Sequence, residues 1–163
     1  MKHKLKNALI LTSVCIGSLH IINQFISSAA TVKNLLPIRP GKYFDWRHGR
    51  VYYRKFGSGK PLLLIHDLDP SASAYEWNQL EQQLAKDFTV YSIDLPGCGR
   101  SDKSNMIYTN YFYVQLLNDF TENVIRKKTN VAATGLSGSF VIMAANNNEK
   151  LFDKIFLISP KSI

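Results

Sequence analysis

Ser137 sits in the run Gly135-Leu136-Ser137-Gly138-Ser139, between the short apolar segment Val131–Thr134 and an apolar stretch that begins at Phe140. A serine flanked by small residues where a strand turns sharply into a helix can present its hydroxyl as a nucleophile. Small neighbours permit the turn, and the serine is expected in a strained, exposed position. A hydroxyl attacks only after a base removes its proton. The histidines are His3, His20, His48 and His66, none follows Ser137, and the acids after it are Glu149 and Asp153. Two further clusters carry polar chemistry. One is His66-Asp67-Leu68-Asp69; the other runs from Asp94 through Gly97, Cys98, Gly99, Arg100 and Ser101 to Asp102. Cys98 has Arg100 nearby but no histidine to activate its thiol, and it reads as a small loop residue. With the other cysteine at position 15, no internal disulfide is expected in the folded body. The scattered histidines give no metal-ligand spacing, so neither a metal nor a cofactor is expected.

The elements that position these residues follow from periodicity. Tyr43–Trp46 and Val51–Phe56 are aromatic and β-branched runs joined at His48-Gly49, which predicts a hairpin. Pro61–His66 is a continuous apolar run, as in a strand buried on both faces of a parallel sheet. Ser73 and Glu76 form a capping-box pattern, and Trp77, Leu80 and Leu84 follow as an apolar stripe at helical spacing. Phe88–Ile93 is the next strand and closes on Asp94. Thr109 can cap a helix that turns Phe112, Leu116, Leu117, Phe120 and Val124 to the core. A strand over Asn130–Thr134, a helix over Gly138–Asn146 and a strand over Lys154–Ile158 complete the pattern. Alternating strands and helices predict an α/β fold, a three-layer sandwich with a mostly parallel sheet covered on both faces. The ligand crevice of such a sheet lies beyond the carboxyl ends of its strands, where His66, Asp94 and Ser137 would converge.

Charge separates the chain into two parts. The net charge is +8, yet residues 1–60 hold eleven Lys and Arg against Asp45 alone, while residues 61–163 hold nine against eleven acids. The basic excess therefore belongs to the N-terminal part, beside an apolar run, and suits an anionic lipid surface rather than a nucleic-acid groove. No nucleic-acid partner is expected, since no basic helix interleaved with aromatics appears. Lys2, Lys4 and Lys6 precede residues 8–30, which carry no charged side chain and are long enough to cross a bilayer core. Residues 1–30 are read as a membrane anchor, with an exported, signal-cleaved form as the alternative because Ser28-Ala29-Ala30 offers small residues at a cleavage position. Residues 31–42, with Pro37, Pro40 and Gly41, form a linker, and the domain runs over 43–163.

Taken in order, Gly57-x-Gly59-x-Pro61 running into His66, then Asp94-x-x-Gly97-x-Gly99-x-Ser101-Asp102, then Gly135-x-Ser137, resemble the first half of the α/β-hydrolase superfamily. The resemblance implies Ser137 as the catalytic nucleophile. It implies an oxyanion hole from the backbone N–H of Gly138 and a loop N–H of Leu68. It further implies that His66 shapes its loop and is not the base, and that the Asp94–Asp102 loop is structural. The substrate would be a small molecule with an ester or similar acyl group. The triad acid and histidine follow the nucleophile in this fold, so the chain is expected to be the N-terminal part of a serine hydrolase. The alternative is a catalytically silent hydrolase-like domain for binding or scaffolding at the membrane. Two departures motivate that alternative: Ser139 stands where the last elbow glycine belongs, and Asp67 stands where the family has glycine. Asp67 would put a negative charge beside a developing oxyanion and oppose catalysis unless it points away. A dehalogenase-like reading is disfavoured because that chemistry wants a carboxylate at the elbow.

Overall fold

A computed structural model describes residues 12–14, 16–26 and 40–161. Contacts divide the chain into two units, Met1–Ile38 and Arg39–Ile163. In the first unit, residues 12–14 and 16–26 are helical, with Val14, Ile16, Leu19, Ile21, Ile22, Phe25 and Ile26 exposed. Among the described residues no helix is long and apolar enough to cross a membrane. The rest of the expected anchor over 1–30, its cleavage position and most of the linker lie outside the described residues.

In the second unit, six strands form one sheet: β1 (Lys42–Trp46), β2 (Gly49–Phe56), β3 (Lys60–Ile65), β4 (Phe88–Ile93), β5 (Thr129–Thr134) and β6 (Phe152–Ile158), in the order β1-β2-β4-β3-β5-β6. The first two pairings are antiparallel, and β4, β3, β5 and β6 run parallel. The helices are α1 (Asn78–Leu84, entered through a 3-10 turn Ala74–Trp77), α2 (Asn110–Phe120, extended by a π turn Thr121–Ile125) and α3 (Ser137–Asn147).

Alternation along each strand decides what covers each face. Leu62 and Leu64 of β3 pack with Trp77, Leu84 and Val90 under α1. Leu63 and Ile65, pointing the other way, join Val131, Ala133 and Ile93 under the buried side chains of α2 and α3. Both faces are covered, which is why β3 reads as an unbroken apolar run from Leu62 to Ile65. The fold is the expected three-layer α/β sandwich.

Two local expectations give way to better uses of the same residues. Leu80 is 46% exposed while its neighbour Glu81 is buried, because Arg54 of β2 donates to the Glu81 carboxylate at 2.6 Å. Ser73 does cap, its hydroxyl accepting from Tyr75 N, but Glu76 does not reach back to it. Glu76 instead accepts the backbone N–H of Asp67, a donor at the end of β3. At α2 the cap is as expected, with Thr109 accepting from Phe112 N.

Candidate active site

The site is built where β3, β4 and β5 end. His66 follows β3 and is fully buried. Its Nε2 accepts the backbone N–H of Leu95 at 2.9 Å, and its Nδ1–H donates to the Asp67 carbonyl at 2.7 Å. Burial pushes the imidazole pKa below its ordinary value. With both nitrogens committed, the ring fastens the β3 end to the β4 end and has no position left from which to take a proton.

Asp94, at the end of β4, is equally fixed. Its Oδ1 accepts from Ala74 N at 2.7 Å, and its Oδ2 accepts from Arg100 N at 2.8 Å. Gly99, at φ +50°, lies so close that a Cβ would fall 2.2 Å from Asp94 Oδ2, so the glycine is required for that carboxylate to sit there. Ser101 Oγ donates to Asp94 O and accepts from Tyr52 N, and Asp102 accepts from Arg50 N. The loop from Asp94 to Asp102 is a hydrogen-bonded knot that holds β2 to β4. Cys98 is buried within it, and burial pushes its thiol up to about 11.

The turn after β5 departs most from expectation. Among the described residues the non-glycine positions with positive φ are Arg126 and Ser159, so Ser137 does not occupy a strained backbone conformation. The left-handed residue is Gly135 (φ +56°), the first residue after β5, whereas Ser137 opens α3. Ser137 is fully buried rather than exposed, and its Oγ donates to the carbonyl of His66 at 2.5 Å. Two residues of offset turn the hydroxyl from the crevice into the joint between α3 and β3.

The backbone donors shift with it. Gly138, expected in the oxyanion hole, gives its N–H to Gly135 O at 3.3 Å inside the first turn of α3. The N–H directed outward belongs to Leu136, the residue after Gly135, and it donates to Asp67 Oδ1 at 2.8 Å. The Leu68 N–H, expected as the other donor, also stabilises the Asp67 carboxylate. The carboxylate therefore rests in the cup formed by these two N–H groups, where an oxyanion would be received at an active elbow. It lies against Gly135 itself: a Cβ there would be 2.1 Å from Asp67 Oδ1. Lys161 Nζ closes the other side, 2.7 Å from Asp67 Oδ2. Burial works to raise the Asp67 carboxyl, but the Lys161 ammonium and the two N–H groups outweigh it and hold the carboxyl below its usual range. The end of β6 and the segment after it complete the arrangement, with Gly135 N donating to Ile158 O and Lys161 N donating to Gly135 O.

Sequence reasoning flagged Asp67 and placed Gly135 and Leu136 in the turn motif, but it gave the turn itself to Ser137 and missed Lys161. One signal was present: the β5 run ends at Thr134, and an elbow residue follows its strand directly, which points at position 135. Beside the cup, Leu68, Pro70, Pro96, Cys98, Tyr108 and Tyr113 help to line a largely apolar cavity of about 340 Å³. Among the described residues no group of three or more His, Cys, Asp or Glu is placed to hold a metal ion.

Known proteins resemble this chain in sequence and fold. The model of the alpha/beta hydrolase family matches residues 62–162. An uncharacterized protein of Mycobacterium bovis is 31% identical over 136 residues, covering 80% of this chain and 39% of that protein. A soluble epoxide hydrolase of Corynebacterium sp. is 29% identical over 109 residues, 67% of this chain and 37% of the enzyme. The crystal structure of an alpha/beta hydrolase fold protein from Burkholderia ambifaria matches with a TM-score of 0.71 at 22% identity, over 77% of this chain and 46% of that one. The chain spans under half the length of these relatives.

Proposed function

The chain belongs to the alpha/beta hydrolase family, and from that premise we propose that it forms the first part of a hydrolase-fold domain that holds a small molecule without cleaving it through Ser137. The observation that carries this reading is the Asp67 carboxylate in the anion cup above Gly135. Acyl transfer needs a nucleophile at the turn and an empty cup for the developing negative charge. Here a residue without a side chain holds the turn, and a negative charge already fills the cup. The apolar cavity beside it is the ligand site in this reading, and it suits a small apolar or aromatic molecule.

The competing reading is ester hydrolysis with Ser137 as nucleophile. It draws on the Gly135-x-Ser137 spacing and requires Ser137 to break its bond to the His66 carbonyl and leave a fully buried position. Labelling of the full-length protein with a fluorophosphonate probe separates the two. No labelling that depends on Ser137 is expected, and labelling lost in Ser137→Ala would overturn the proposal. Association with a membrane through residues 1–30 belongs to the same proposal, supported by the exposed apolar side chains from Val14 to Ile26. Fractionation checks it: full-length protein recovered in the soluble fraction would remove that part.

A further inference from the structure

At the opposite end of the sheet, where β5 and β6 begin, lies a second cavity of about 520 Å³. Arg126, Lys127 and Lys128 line it from the segment before β5, and Lys150 lines it from the segment before β6. We propose that this cavity is a binding site for a phosphate-type oxyanion, either a free phosphomonoester or a phosphorylated lipid headgroup. The proposal is independent of what Asp67 and Ser137 do.

Three observations meet there. The first is charge. Residues 61–163 carry a net excess of acids, yet four of their nine Lys and Arg line this one cavity, against Glu122 as the only acid in its lining. Cations at the end of α2 gain a little from the helix dipole, which accounts for one or two of them. Lys150 comes from a different loop, just past the end of α3, so helix dipoles favour a cation at either place but do not account for the convergence of the two segments on one cavity.

The second observation is a buried hydroxyl. Thr121 is 4% exposed, lines the same cavity, and its Oγ1 has no hydrogen-bond partner. Leaving such a group unpaired is unfavourable, and an anion oxygen in the cavity would accept its proton. The third is backbone geometry. α2 loosens into a π turn over Thr121–Ile125 and ends at Arg126, a non-glycine residue at φ +60°. π turns and left-handed non-glycine residues both concentrate at functional positions. Here they place the Arg126 side chain over the cavity, with its Nε donating to Asn123 O at 3.0 Å. A planar guanidinium held in this way is suited to a tetrahedral oxyanion, and the lysines supply point charges around it.

The experiment uses the full-length protein with two probes. Inorganic phosphate is titrated by calorimetry, and binding to phosphatidic acid vesicles is measured against neutral phosphatidylcholine vesicles. Saturable phosphate binding is expected, weakened about tenfold in Thr121→Val and more in Lys127→Ser/Lys150→Ser. Thr121→Val separates ligation from packing: a merely structural threonine would leave phosphate affinity unchanged, because the valine removes an unpaired hydroxyl without altering the shape. Loss of vesicle binding in Thr121→Val, without measurable binding of free phosphate, assigns the site to a lipid headgroup. Binding of either probe that is indifferent to Thr121→Val, or no binding of either, overturns the proposal.

Discussion

Gly135 and Asp67 share one small volume. A Cβ on Gly135 would lie 2.1 to 2.3 Å from the carboxylate of Asp67, and the φ of +56° is itself unfavourable for a side chain. Gly135→Ala is therefore expected to cost about 2 kcal/mol or more, from the left-handed backbone together with displacement of the carboxylate. Asp67→Gly in the same background removes the overlap and should recover part of that loss. A double-mutant cycle by urea unfolding checks the pair. Strictly additive costs would mean that the two residues do not compete for this space.

Lys161 is what makes the filled cup electrostatically acceptable. The carboxyl of Asp67 lies below its ordinary value, so its contribution is present above pH about 4 and is lost as the pH falls through the folded-state pKa. Lys161→Ala removes the ammonium and should move that loss to higher pH. The lysine side chain is 59% exposed, so neutral-pH stability should change little. A carbon-detected NMR titration of Asp67 reads the shift directly, and an unchanged midpoint in Lys161→Ala would mean that the ion pair does not hold the carboxylate.

His66 fixes two strand ends at once, and its role is testable through pH. Burial lowers its pKa, so the neutral ring is the folded form. Its contribution is complete above the unfolded value of about 6.5 and is lost as the pH falls toward the depressed folded-state value. His66→Ala leaves the Leu95 N–H buried without its acceptor and should cost about 2 to 4 kcal/mol at pH 8. The variant should also lose the part of the stability slope between pH 7 and 5 that the wild type owes to this ring. Parallel slopes in the two proteins would show that His66 does not titrate in that range.

The layers of the fold are legible in the sequence because burial on both faces leaves a local mark. Leu62 to Ile65 is a short unbroken apolar run, consistent with a strand covered on both faces, and Phe112 to Phe120 carries the period of an amphipathic helix. The glycine-rich loop from Asp94 is legible for a similar reason, since Gly99 records a close approach of backbone and carboxylate. The cup is different. The β5 run ends at Thr134 and points at position 135 for the turn, but the Gly135-x-Ser137 spacing points at 137, and the backbone conformation decides between them. Leu136 contributes only its backbone N–H, which leaves no trace in side-chain type. Lys161 acts on Asp67 across 94 positions of sequence. Glu81 was obscured by the same kind of distance, because its burial depends on Arg54 in another strand.

Asp94 supports the loop through two backbone bonds, and replacing it tests whether that loop is a scaffold. In Asp94→Asn one oxygen becomes an amide nitrogen, which cannot accept from Ala74 N or Arg100 N. With the residue 1% exposed, one buried N–H is left without an acceptor, for an expected loss of about 1 to 3 kcal/mol. Hydrogen exchange should report faster opening at Arg100 or Ala74. Wild-type protection at both amides would show that the carboxylate is not their acceptor.

Ser137 brings the structural and functional questions to one side chain. Its hydroxyl satisfies the His66 carbonyl from the first turn of α3, and both are buried. In the proposed reading, a serine in that position contributes to stability rather than to turnover. Ser137→Ala is expected to destabilise the protein by about 1 kcal/mol through the lost hydrogen bond. It should leave binding in the neighbouring cavity unchanged, because Ser137 is not among the residues that line it. A nucleophile would behave in the opposite way: the alanine variant would keep its stability within a few tenths of a kcal/mol and lose any esterase activity of the full-length protein. Measuring the urea midpoint and the hydrolysis of a p-nitrophenyl ester on the same preparation places the residue in one role or the other.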